Sequence, residues 1–215
     1  MNCLFLPGSH MTSAIWDKVA RGLPNTITSN FLSYPHEVTL AAQQVEDIAK
    51  WLIDQLRYQP LDIIIGHSMG GLVGLILAAK YSLSLKGLIL VESNLRPAEE
   101  FYRNLLFPKN RLLLGESLMA MIRKEDPYYN DSLKQTVKHD FDFTPYVSKI
   151  ECPLFGIYGD RGSKNHPDRI RNLNLDEATV QKIRFRFVTD ACHMPMLENP
   201  EELTEILLKC LNECE

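Results

Sequence analysis

Residues 61–74 read LDIIIGHSMGGLVG. An isoleucine-rich run passes within two residues to a serine, Ser68, flanked at plus and minus two by Gly66 and Gly70. It then enters MGGLVGLILAAKYS (69–82), which is apolar on every side. The first run predicts a buried strand, and the second a helix packed in the middle of a sheet protein. A serine at such a joint needs strained backbone angles, and bulky neighbours two residues away would clash there. The helix N-terminus behind it supplies backbone N–H groups and positive potential. The stretch therefore predicts a nucleophile at Ser68, with the Met69 N–H as an oxyanion donor.

The rest of the chain repeats the alternation of buried strand and helix. NCLFL (2–6), NTITSNFL (25–32), LDIIIG (61–66), LKGLILVE (85–92), CPLFGIYG (152–159) and IRFRFVT (183–189) read as strands. Helices are expected over SAIWDKVAR, capped by Thr12 or Ser13 and closed by Gly22, and from a Thr39 cap to about Arg57. A last helix starts at Asn199, with Pro200 and Glu202 in its first turn. This pattern implies an α/β layer fold with right-handed crossovers. Residues 93–148 break it, offering helical stretches around PAEEFYRNLLF and RLLLGESLMAMIRKE and no convincing strand. An insertion after a strand end belongs over the carboxyl edge of the sheet, where ligands bind. The expected organisation is a core of residues 1–92 and 149–215 carrying a small helical cap, 93–148.

Composition narrows the function classes. A net charge of −4 gives no reason to expect nucleic acid as a partner. Five cysteines, Cys3, Cys152, Cys192, Cys210 and Cys214, show no metal-ligand spacing, so neither metal nor cofactor is expected. The opening MNCLFLPG lacks a basic n-region, and no run of ~18 apolar residues suggests a membrane span. The expectation is a cytoplasmic protein with reduced thiols.

Three motifs, LPGSHMTSAIW (6–16), GHSMGG (66–71) and DACHMPMLENP (190–200), carry a resemblance to the α/β-hydrolase superfamily in its compact esterase and lipase-like branch. The resemblance covers nearly the whole chain. It implies a trimmed, mostly parallel sheet of about six strands without the family's N-terminal antiparallel strands. It also implies a second oxyanion donor from the loop after the first strand, which here carries Pro7-Gly8 in place of His-Gly. By position that donor is the Ser9 N–H, with His10 beside it at the pocket mouth. Of the six histidines, only His193 follows the last strand and precedes the last helix, so the resemblance makes it the general base toward Ser68.

A histidine base needs a carboxylate on its other ring nitrogen. The family usually places it three residues after the glycine ending the strand CPLFGIYG, and that slot is Gly162. Two acids remain. Asp160 lies too early in the turn, where a shift along the chain redirects a side chain. Glu92, in LILVESNLRP, ends the preceding strand, and some relatives keep their acid there. The empty slot favours Glu92, with Asp160 as the alternative.

The implied activity is a serine hydrolase acting on a small-molecule ester or thioester through an acyl-enzyme. Acyltransferase or carbon–carbon lyase chemistry on the same fold, or a non-catalytic binding protein, are the rival readings. Apolar residues of the insertion, among them Phe101, Leu105 and Met119, are expected to line an acyl pocket.

Overall fold

The computed structural model describes residues 1–215 except Ser82 and His139. Six strands form one sheet: β1 (Asn2–Leu6), β2 (Thr28–Phe31), β3 (Ile63–His67), β4 (Gly87–Val91), β5 (Leu154–Gly159) and β6 (Ile183–Val188). Their order is β2-β1-β3-β4-β5-β6, and each neighbouring pair is parallel. This is the trimmed, helix-flanked sheet that the motifs imply.

The helices before the long excursion are α1 (Asp17–Gly22), α2 (His36–Ala41), α3 (Val45–Leu56) and α4 (Met69–Lys80). The excursion between β4 and β5 carries α5 (Arg111–Glu125), α6 (Asp131–Gln135) and α7 (Thr144–Val147). After β5 come α8 (Glu177–Lys182), α9 (Pro195–Glu198) and α10 (Pro200–Asn212). The last residue of the expected 69–82 helix, Ser82, lies outside the described residues.

Burial on both faces explains why the four inner strands, β1, β3, β4 and β5, read as continuous apolar runs. Successive side chains point to opposite faces. Leu4, Leu6, Ile64, Leu88 and Leu90 pack under α3 and α4, while Cys3, Phe5, Ile63, Ile65, Ile89 and Val91 pack under α1 and α10. The hydrophobic stripe of α3, from Val45 through Ile48, Ala49, Leu52 and Leu56, is fully covered.

Three expectations need correction. The helix from Thr39 to Arg57 is broken in two. Thr39 lies inside α2, and its hydroxyl donates 2.6 Å to the Tyr128 carbonyl rather than capping. Ala42 is extended, and Gln44 and Asp47 form the capping box that starts α3. Residues 97–107 hold a single 3₁₀ turn, Glu100–Tyr102, instead of a helix. There the Tyr102 hydroxyl donates to Arg169 O and the Phe107 N–H to Glu198, so tertiary partners claim the polar groups. Near the N-terminus, residues 13–16 form a 3₁₀ turn before α1, and the Thr12 side chain makes no capping bond. Asn199 does cap α10, accepting from the Glu202 N–H. Among the described residues from 93 to 148 there is no strand.

The sequential strand order reverses between β1 and β3, because β2 lies outside β1 and all later strands lie beyond β3. The carboxyl edge at such a reversal opens a crevice. The loops carrying Ser9 and Ser68 flank it.

Candidate active site

The parallel register places several chain segments side by side at the carboxyl edge. Backbone bonds step across it: Ser68 N–H to Val91 O at 2.9 Å, Glu92 N–H to Ile157 O at 2.8 Å, and Asp160 N–H to Val188 O at 2.9 Å. Among the described residues, seven non-glycine residues have positive φ, and five of them, His10, Ser68, Glu92, Arg161 and Asp190, lie in the segments just after strand ends. Each such residue costs of order 1–3 kcal/mol, and strain of this kind gathers where side chains must be aimed.

Ser68 stands between β3 and α4 at φ 50°, ψ −119°. The flanking glycines are required by close approach. A Cβ on Gly66 would collide with the Gly70 backbone, and one on Gly70 would lie 2.6 Å from Pro7 O. As the first residue of α4, Met69 has no intrahelical acceptor for its N–H. The loop after β1 runs against the same corner. A Cβ on Gly8 would lie 3.1 Å from Ser68 Cβ and 2.8 Å from His67 Nδ1, so the residue before Ser9 packs directly against the serine corner.

His193 reaches this corner from the loop after β6. Its carbonyl accepts from His67 Nε2 at 2.9 Å, and the two rings lie 4.9 Å apart. A carbonyl can only accept, so Nε2 of His67 carries the proton and Nδ1 does not. Burial, together with the neighbouring His193, lowers the His67 pKa to about 3 and keeps it neutral. Among the described residues Ser68 and His193 share no hydrogen bond; they are joined through His67.

The two candidate acids are placed differently. Glu92 is completely buried, and its Oε2 lies 3.4 Å from His193 Nδ1. Burial raises its pKa, but the charge and hydrogen bonds of Arg161 outweigh that and hold it at about 2. Facing a carboxylate, Nδ1 must donate, which leaves Nε2 as the ring nitrogen able to take a proton from serine. Asp160 points into the turns. Its Oδ1 accepts from Gly162 N–H at 2.8 Å and Asp190 N–H at 2.7 Å.

The family's usual acid slot is closed. Gly162 has φ 74°, and a Cβ there would lie 2.7 Å from the Phe107 ring. Gly162→Ala is expected to cost about 1–3 kcal/mol, through overpacking and the left-handed backbone. Thermal melts of the variant and wild type measure this directly.

A cleft of about 600 Å³ opens beside His193. Leu105 lines it with Tyr102, Val137 and Phe141, while Arg103 and Lys138 add charge. The other expected pocket residues lie outside that lining. Phe101 stacks on His166, His10 stacks on Tyr129 near Asp126, and Met119 is 39% exposed on α5.

Two residues escaped the sequence reading. Glu198 accepts from the N–H groups of Cys192 at 2.7 Å and Phe107 at 2.5 Å, tying the His193 loop to the excursion. It lies inside DACHMPMLENP, so its position close after His193 was the available signal. Arg161 grips Glu92 with both terminal nitrogens. Its signal was fainter: a cation one residue before the vacant slot.

A family model described as alpha/beta hydrolase fold matches residues 4–120, more than half of the chain. An esterase from Thermogutta terrifontis, solved with malate bound, aligns with a TM-score of 0.78 at 19% identity, over 100% of this chain and 90% of its own. A hydrolase from Oleispira antarctica aligns with a TM-score of 0.77 at 12% identity, over 98% of this chain and 90% of its own. MenH from S. aureus aligns at 0.74 and 15% identity, over 100% of this chain and 94% of its own. At these identities the likeness is one of fold. No curated protein matches the chain.

Proposed function

The chain belongs to the alpha/beta hydrolase fold family, and from that premise we propose that it is a serine hydrolase cleaving a carboxylic ester or thioester through an acyl-enzyme on Ser68. The observation that carries this reading is the convergence of three strand ends. Ser68 sits at a strained elbow with His193 packed on the adjacent His67, and Glu92 faces His193 Nδ1.

In the proposed cycle, His193 Nε2 accepts the Ser68 proton as Oγ attacks the carbonyl carbon. The Met69 and Ser9 N–H groups hold the oxygen that becomes negative. His193 then gives its proton to the departing alcohol or thiol. A water, deprotonated by the same imidazole, frees the acid and regenerates Ser68. Glu92 keeps the proton on Nδ1 and stabilises the imidazolium. Residues 93–148 serve as the cap over this edge, supported by the bond from His193 N–H to Asn104 O at 3.3 Å. The cleft size falls within the usual range for small-molecule sites, roughly 300–1,000 Å³. Its mixed lining suits a short acyl group with a polar end. Among the described residues no helix is long and apolar enough to cross a membrane.

A fluorophosphonate probe is expected to label wild-type protein once per chain at Ser68, read by intact mass and peptide mapping. Nitrophenyl esters of increasing chain length should then define the acyl preference. Folded wild-type protein that neither takes the probe nor cleaves any ester would overturn the reading.

A further inference from the structure

A buried carboxylate needs a partner, and Glu92 has one that a hydrolytic triad does not call for. The Arg161 side chain is 4% exposed. Its Nη1 donates to Glu92 Oε1 at 2.6 Å and its Nη2 to Oε2 at 2.7 Å, a two-pronged contact of high geometric specificity. The Gly159 N–H adds a third donor, to Oε1 at 2.5 Å. The plane of the carboxylate is therefore fixed before the imidazole touches it. His193 Nδ1 reaches only Oε2, the oxygen it shares with Arg161, and at a longer 3.4 Å.

The arginine is itself held on several sides. Nη1 also donates to Gly159 O at 2.7 Å, and the guanidinium lies 4.4 Å over the Tyr102 ring. Its backbone sits at φ 53°, with the N–H bonded to Ala191 O at 3.0 Å. Asp160 ties this turn to the one after β6 through its two backbone contacts. The acid nearest the vacant slot thus shapes the turn that aims the cation.

We propose that Arg161 is a positioning residue for the Ser68–His193–Glu92 group: its fork sets the carboxylate's orientation, and its charge limits how tightly that carboxylate holds the protonated imidazole. The proposal rests on the catalytic reading of those three residues. A lone carboxylate would present a full negative charge to the imidazolium, whereas the Glu92–Arg161 pair presents a dipole of no net charge. The imidazole must release its proton to the leaving group within one turnover, and a moderated partner favours that release.

Other groups near His193 are otherwise engaged. His67 is neutral, Glu198 accepts backbone N–H groups, and Asp190 pairs with Lys109. Cys192, next in the chain, is held as the thiol because burial pushes its pKa up to about 12. Arg103, Lys138 and Asp140 stand on the cleft wall. Among the described residues none of these bonds to Glu92.

The test compares wild type, Arg161→Met and Arg161→Lys. It uses an NMR pH titration of the His193 ring and pH–rate profiles normalised to fluorophosphonate-titrated active sites. In Arg161→Met the ring is expected to titrate about one pH unit higher, and the acid limb of the profile to move with it. Arg161→Lys should keep the wild-type midpoint but lose about tenfold in kcat, because a point charge cannot hold both oxygens. Equal midpoints in folded wild type and Arg161→Met overturn the proposal, as does a loss of active sites with an unchanged profile per site. Should the Met variant fail to fold, Arg161→Gln, neutral but polar, makes the same comparison. Wild type inert to probe and esters would end the hydrolase reading, while the NMR shift would still decide whether Arg161 tunes His193.

Discussion

Ser68→Ala is expected to lower ester cleavage by at least about 10⁴-fold in kcat. The substitution removes the atom that forms the acyl bond in the proposed cycle and leaves the rest of the corner in place. Residual activity would come from the oxyanion donors and from binding. The protein should remain folded, since alanine meets the same strain at φ 50° that serine does. Ser68→Gly gives a useful contrast: it should be equally inactive yet no less stable, because glycine adopts positive φ without cost. Rates with a nitrophenyl ester and thermal melts of the three proteins are the measurement. An alanine variant within tenfold of wild type would remove Ser68 as the nucleophile.

The elbow was legible because its causes are local. Glycines at plus and minus two, an isoleucine run before and an apolar helix after are all contained in residues 61–82. The four inner strands were legible for a related reason: a run buried on both faces stays apolar whatever its neighbours are. Features set by distant partners were not. Nothing around Thr39 announces that its hydroxyl will serve the Tyr128 carbonyl, 89 residues on, so the break between α2 and α3 was hidden. Residues 97–107 have helical composition, yet their polar groups are claimed from Arg169 and Glu198. The pairing of Arg161 with Glu92 spans 69 residues and two strand ends. Sequence could show that the slot at Gly162 was empty. It could not show that Phe107 fills the space or that an arginine holds the carboxylate one strand away. The candidate site was therefore legible as residue types at strand ends, and illegible where side chains choose among several neighbours.

Glu92→Gln should reduce activity by about 10³–10⁴-fold, while Asp160→Asn should change it by no more than about threefold. The first figure follows from a histidine deprived of the carboxylate that fixes its tautomer. The second follows from geometry: Asp160 faces the Gly162 and Asp190 N–H groups, and an asparagine oxygen can still accept from them. The glutamine variant should also lose stability, because it strands the Arg161 charge in a site where the side chain is 4% exposed. The pH dependence gives a check on the same group. Glu92 has a folded pKa of about 2, below its ordinary value, so its contribution is present above the unfolded pKa and fades as pH falls from about 4 toward 2. That contribution is on the order of 3 kcal/mol at neutral pH. Urea unfolding of wild type should show a loss of stability through that acid window, and in Glu92→Gln the loss should be smaller by about that amount. Activity that survives Glu92→Gln and collapses in Asp160→Asn would reverse the assignment. It would mean that the turn after β5 swings Asp160 out of its backbone bonds and toward His193 when substrate is bound.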